Sequence, residues 1–198
     1  MRTMAERGKG VYMIKELVKK NRSYRRFYQD RKLSTEQLRE LVDIARLTPS
    51  AANRQSFRYR IVCDDIENEK VYESLGFAGY LKDWDGPEEG EKPAGYIVIT
   101  CPDNINCEVD AGIVGQTMLL AATEQGFGGC FFGNVRREQL MSELGIPEGL
   151  KIVYVIAFGY PKENVVIEDI PGDGDIKYYR DENQVHHVPK KKLDDIII

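Results

Sequence analysis

The sequence predicts an α+β domain in which a central β-sheet is flanked by helices, and three observations predict it. Two continuous apolar runs, "YIVITC" from Tyr96 to Cys101 and "IVYVIAFG" from Ile152 to Gly159, have the length and composition of central strands covered on both faces. "LSTEQLRELVDIARL" shows helical periodicity behind a clear helix-start signal. "EVDAGIVGQTMLLAATEQG" has helical length but is apolar almost all round, which predicts a helix buried at the centre. A chain of 198 residues fits one domain that buries roughly 70% of its unfolded surface, so residues 1–198 read as a single unit.

The first helix is expected near the N-terminus, where Val11, Ile14 and Val18 recur at helical spacing and give it one buried face. In the next helix Ser34 caps the start, Gln37 completes a capping box, and Leu33 can staple onto Leu38. Leu38, Leu41, Val42 and Ala45 form its buried stripe, and it should end before "TPSAANRQ", because Pro49 disfavours the helical conformation at Thr48. "FRYRIVCD" alternates, with Phe57, Tyr59, Ile61 and Cys63 on one face of a half-buried strand. "DWDGPEEGEKPAG" is a polar loop holding the sole tryptophan, Trp84. It serves either as a solvated connector with Trp84 tucked inward or as a lid over a site. The central helix should end at Gly126, followed by the Gly-rich turn and short strand of "GFGGCFFGN". "VRREQLMSELGIP" then reads as a helix with Asn134 as its cap and Gly145-Ile146-Pro147 as its stop. Residues 176–198 read as a C-terminal hairpin and arm, and the apolar "LDDIII" end needs a docking site on its own core or on another subunit.

Composition excludes several functions. With 28 lysines and arginines against 32 acids the net charge is −4, which argues against a general nucleic-acid surface and leaves room for a local anion pocket. No apolar run approaches the ~20 residues of a membrane helix, and no signal-like segment opens the chain, so a cytoplasmic protein without membrane contact is expected. Cys63, Cys101, Cys107 and Cys130 show no CxxC pair and no zinc spacing, so reduced thiols and no metal site are expected. His186 and His187 are the two histidines, adjacent in the hairpin and facing opposite sides, so a Ser-His-Asp or Cys-His arrangement has little support.

The candidate binding residues fall in short clusters. In "NRSYRRF", Arg22, Ser23 and Arg25 put arginine forks and a hydroxyl within one turn, which suits a phosphate monoester as well as it suits a solvated charged face. "PSAANRQ" brings Ser50, Asn53 and Gln55 into a loop, where amides suit the edge of a heterocycle or simply serve turn chemistry. "GFGGCFFGN" is not a GxGxxG fingerprint and lies outside any βαβ unit.

The order of these motifs, with "FGYP" after a central strand and a basic C-terminal tail, closely resembles the nitroreductase family of FMN-dependent oxidoreductases from about residue 12 onwards. The resemblance implies a mixed central sheet in an interlocked homodimer, with two FMN sites at the interface and the C-terminal arm reaching the partner subunit. It places Arg22, Ser23 and Arg25 at the ribityl phosphate and the adjoining ring edge, Arg25 near flavin N1 and O2. Pro49, Ser50, Ala51 and Asn53, with Gln55 as a weaker carry-over, would reach the flavin from the partner. Gly133 and Asn134 would present backbone N–H groups to N5, and Lys190 and Lys191 are the tail candidates for the phosphate, the register between them open. The implied function is passage of electrons from NADH or NADPH through FMN N5 to a nitroaromatic, quinone or similar small acceptor by a ping-pong mechanism, with no catalytic side chain because the cofactor carries the chemistry. The rivals are a dehalogenase or flavin-cleaving enzyme on the same scaffold, and a flavin- or nucleotide-binding protein without turnover.

Overall fold

The computed structural model describes residues 14–198, so Val11 lies outside the described residues. The α+β class is observed. The elements run α1 (Ile14–Lys20), α2 (Thr35–Ala45), β1 (Arg58–Val62), α3 (Asp65–Glu73), β2 (Gly95–Pro102), α4 (Glu108–Glu124), β3 (Gly128–Phe132), α5 (Arg137–Glu143), β4 (Leu150–Gly159), β5 (Val165–Ile170), β6 (Tyr179–Arg180) and β7 (His186–Lys191). Single-turn 3-10 helices cover Ala51–Asn53 and Leu193–Asp195.

The central sheet has the order β1-β2-β4-β3. Its two apolar strands alternate between two cores. Ile97 and Ile99 of β2 with Ile156 and Phe158 of β4 face α2 and α4, where Leu38, Leu41, Val114 and Met118 meet them. Tyr96, Val98, Val155 and Ala157 face the other way, onto Val71, Leu140 and Leu144 from the α3 and α5 side. Cover on both faces is the physical reason these strands carry no polar alternation. All three ladders of this sheet are antiparallel, which corrects the expected mixed sheet. Among the described residues, parallel pairing enters through a Ser23–Gly129 bridge beside β3 and through β5–β7 of a second, three-stranded sheet. Apolar runs report cover, and cover is the same for either strand direction.

Local signals account for the helix ends. The Gln37 N–H donates to Ser34 Oγ at 3.2 Å, and the Ser34 N–H donates to Gln37 Oε1 at 3.0 Å, closing the capping box. After α4, Gly126 takes a left-handed φ of 89°. Its N–H donates to Thr123 and that of Phe127 to Ala122 (3.2 and 3.0 Å), the paired bonds of a Schellman stop.

Several expectations need correction. In α1 the buried residue is Leu17, while Ile14 and Val18 are 64% and 46% exposed, because the helix rests on α4 by its other side. Helix α4 is not covered all round: Val109 is 79% exposed and Ile113 36%, on the face that also carries Gly112 and Gln116. Asn134 does not cap α5, whose N-cap position is Arg136 without a side-chain cap bond. Cys101 and Cys107 are disulfide-bonded, since the turn between β2 and α4 folds them together; reduced thiols remain at Cys63 and Cys130. The C-terminal hairpin forms as β6 and β7, and β7 pairs with β5 of its own chain, leaving Leu193, Ile196, Ile197 and Ile198 exposed.

Gly129 of β3 permits a close approach that no larger residue allows. A Cβ there would stand 2.2 Å from the Ala157 carbonyl oxygen, a backbone atom of the neighbouring strand. Gly129→Ala is expected to lower stability by about 1–2 kcal/mol through overpacking, measured by urea unfolding. It should also loosen residues 23–24, because the Tyr24 N–H donates to the Gly129 carbonyl at 3.1 Å.

Candidate functional site

The basic run follows α1 directly and is clamped along its length. Arg22 Nη2 donates to the Val18 carbonyl at 2.7 Å, and Tyr24 Oη donates to the Lys20 carbonyl at 2.7 Å, so two side chains satisfy the last carbonyls of α1. Ser23 bridges to Gly129, and Phe27, with no exposed surface, bridges to Pro161. The Lys162 N–H donates to the Arg26 carbonyl at 3.0 Å. Arg26 turns away to Glu91 at 3.2 Å and Arg31 lies 3.8 Å from the Tyr160 ring centroid, so neither joins the other three residues of the motif.

Arg22, Ser23 and Arg25 line a cavity of about 310 Å³. Its floor and walls come from distant parts of the chain: Gln116 and Leu119 of α4, Phe131 of β3, Tyr178, and His186, Val188 and Lys190 of β7. Among the described residues, three cationic side chains line it and no carboxylate does. The Nε of Arg22 is buried without a hydrogen-bond partner among the described residues, and burial pulls this guanidinium below its ordinary pKa. Arg25 lies 5.0 Å from the Tyr178 ring, itself 5.3 Å from the His186 ring. His186 is 1% exposed and its Nδ1 is buried without a partner among the described residues. Burial first, then the charges of Arg25, Arg180 and His187, bring its pKa down to about 4, so the imidazole is neutral at pH 7.

The other candidates fall elsewhere. Pro49, Ser50, Ala51, Asn53 and Gln55 lie on the loop after α2, and of these Ser50 and Gln55 line a second cavity of about 220 Å³ with Arg58, Tyr59 and Val114. The loop is anchored by the Ala51 N–H, which donates to both Asp110 carboxylate oxygens at 3.1 Å. Ala52, Asn53 and Gln55 hold φ values of 50°, 52° and 50°, a left-handed conformation costly for residues with a Cβ. Gly133 and Asn134 are exposed beyond the end of β3 and do not line the basic cavity; Phe131 of the same segment does. Lys190 lines it, whereas Lys191, next along an alternating strand, does not. Sequence reasoning missed Asn21, Gln116, Tyr178 and His186. The period-two spacing of His186 and Val188 from Lys190 was the signal that finds the last of these. Trp84 packs edge-on to Phe77 at 6.0 Å and under Arg180 at 4.2 Å, outside the cavity lining.

A family profile described as Nitroreductase family matches residues 18–78 and 103–160, more than half of the chain. The chain belongs to the nitroreductase family. The gap between the matched segments holds the Trp84 loop and β2. Among similar proteins, one from Archaeoglobus fulgidus assigned as an NADH dehydrogenase/NAD(P)H nitroreductase is 29% identical over 149 residues, covering 70% of this chain and 80% of that one. A Cr(VI) reductase from Pseudomonas sp. (strain G-1) is 27% identical over 174 residues, covering 80% and 71%. The fold matches a crystal structure of a nitroreductase with bound FMN from Desulfitobacterium hafniense at a TM-score of 0.61 and 23% identity, covering 78% and 92%. It also matches one from Exiguobacterium sibiricum, assigned as a nitroreductase in complex with FMN, at 0.65 and 15%, covering 78% and 91%. Family membership and these relatives make the chain a nitroreductase-like oxidoreductase. No described helix is long and apolar enough to cross a membrane.

Proposed function

We propose that this nitroreductase binds FMN in the basic cavity and passes electrons from NADH or NADPH to a nitroaromatic, quinone or similar small acceptor by a ping-pong mechanism. The observation that carries the reading is the lining: Arg22, Arg25 and Lys190 converge on one cavity with no carboxylate among them. A phosphate monoester brings close to two negative charges and three acceptor oxygens, and two guanidinium forks, an ammonium and the Ser23 hydroxyl suit it. The partnerless Nε of Arg22 fits such a ligand, as do the apolar walls of Leu119, Phe131 and Val188 for a ring. Bound FMN supplies the hydride and electron chemistry. This chain's residues hold the phosphate, orient the ring and place the fixed charge of Arg25 where reduction develops negative charge. Because His186 is neutral at pH 7, the cavity's charge there rests on permanent cations.

The reading includes a homodimer in which the loop bearing Pro49, Ser50, Ala51, Asn53 and Gln55 reaches the partner's flavin. Val18 and Gln116 support it: both line the cavity and belong to the exposed faces of α1 and α4 that carry Ile14, Val109 and Ile113. A second copy covering those faces closes the cavity's open side. Lys191, Gly133 and Asn134 are retained in the proposed site as residues that meet the ring or the partner once the dimer forms.

Extracting the cofactor and recording a visible spectrum with NADH and NADPH tests the function. FMN by mass and bleaching of the yellow protein are expected; FAD, or no flavin after reconstitution, overturns it. A stable colour with both donors favours a flavin-binding protein without this turnover.

Burial of an isoleucine is worth roughly 1.5–3 kcal/mol, so the exposed end at Ile196, Ile197 and Ile198 is expected to dock across the dimer. Deleting residues 193–198 leaves β7 intact and should both weaken the dimer and lower the flavin-to-protein ratio. Sedimentation and absorbance on one sample check this; an intact, fully yellow dimer contradicts it.

A further inference from the structure

The residue that grips the basic run most firmly is not in the cavity and not in the run. Glu163 follows β4, and its side chain is 2% exposed. Its Oε1 accepts the backbone N–H groups of Arg25 and, at 3.2 Å, of Arg26, while Oε2 accepts from Arg180 Nη2 at 3.1 Å. Arg180 is only 8% exposed and is covered by the Trp84 ring 4.2 Å away. One carboxylate therefore joins the segment bearing Arg25, the hairpin strand β6 and the Trp84 loop.

We propose that Glu163 is a positioning residue of the cavity: it pins the backbone at Arg25 so that the Arg22, Ser23 and Arg25 side chains converge on one phosphate. This rests on the reading of the cavity as a flavin phosphate site. On one side of the segment the Ser23–Gly129 bridge holds the chain to the sheet edge. On the other, Phe27 is locked in the core. Between them two consecutive N–H groups have no helix or strand to satisfy them, and Glu163 supplies the acceptor for both. A buried carboxylate among arginines also invites a different account, in which it merely offsets surplus positive charge. The two accounts predict opposite signs. Removing a negative charge beside a fixed set of cations strengthens the pull on a phosphate. Removing the acceptor that fixes Arg25 disperses those cations and weakens it.

The experiment compares Glu163→Met, which removes the acceptor oxygens together with the charge, with the unaltered protein, measuring dissociation constants for FMN and for riboflavin, which lacks the phosphate, by flavin fluorescence quenching. Circular dichroism establishes that both proteins are folded at the working temperature. FMN affinity is expected to fall roughly tenfold or more, the scale of a hydrogen bond involving a charged group, with riboflavin affinity changing much less. Tighter FMN binding, equal losses for both flavins, or no change overturns the proposal, the second result marking a general staple of the fold. Should Glu163→Met fail to fold, Arg180→Met loosens the same carboxylate from the hairpin side and should shift the FMN-to-riboflavin ratio in the same direction; an unchanged ratio overturns the proposal. An unaltered protein that binds neither flavin overturns the FMN reading instead. Inorganic phosphate, followed by its 31P line width, then decides for Glu163: binding lost in Glu163→Met supports positioning, and binding retained overturns it.

Discussion

Arg25→Ala is expected to weaken FMN binding by roughly 1.5–3 kcal/mol, the usual range for hydrogen bonds to charged groups, or about ten- to a hundred-and-fifty-fold in dissociation constant. Arg25 lines the cavity with Arg22 and Lys190, so its loss removes one of the three cations lining the cavity proposed for the phosphate and the adjoining ring edge. Its backbone stays tied to Glu163 in the variant, which separates loss of the side chain from loss of the segment's placement. The flavin reduction potential should also fall, because the reduced ring loses a nearby positive charge. Arg31→Ala serves as the control, since Arg31 stacks on Tyr160 and does not line the cavity. Equal effects from the two variants would return the basic run to a solvated charged face. Affinity is read by flavin fluorescence and the potential by equilibration with a reference dye.

The second large effect is a loss of stability in mild acid that depends on His186. Its folded pKa of about 4 lies below the ordinary 6.5, so between these values the unfolded chain binds a proton that the folded chain refuses. The contribution is complete above pH 6.5, is lost as the pH falls towards 4, and amounts to roughly 3 kcal/mol over that window. The cause is burial at 1% exposure, reinforced by Arg25, Arg180 and His187. His187 has the opposite sign. Desolvation would lower its pKa, but hydrogen bonds to Glu168 and Asp181 raise it, so its contribution is present in acid and fades as the pH rises through the folded value. Replacing His186 by Phe removes the first effect and keeps the ring's packing against Tyr178. Urea unfolding at pH 7.5 and pH 5 should show a smaller difference in the variant than in the unaltered protein; equal differences would contradict the assignment.

Some of this protein was legible in the sequence because the physics is local. A capping box needs residues three apart, so Ser34 and Gln37 announced the start of α2. A left-handed stop needs one glycine, so Gly126 announced the end of α4. Strands covered on both faces cannot afford polar alternation, so β2 and β4 stood out as apolar runs. Ordered short motifs were enough to reach the family, although no one of them is specific.

The cavity was decided by tertiary structure. The Arg25 N–H and the Glu163 carboxylate are 138 residues apart, and nothing in either neighbourhood names the other. His186 read as half of an idle pair, until β7 folded back beside the basic run and buried it. The face of α4 bearing Val109 and Ile113 also carries apolar residues, so the apolar run by itself did not tell that this face would be left outside the core. The Cys101–Cys107 bond likewise had no spacing signature, because it depends on how the turn after β2 leads into α4. Local rules set hydrogen bonds and periodicity within a few residues. Only packing of the whole chain decides which distant side chains share a cavity, and that sharing brings Arg22, Arg25 and Lys190 together in one lining.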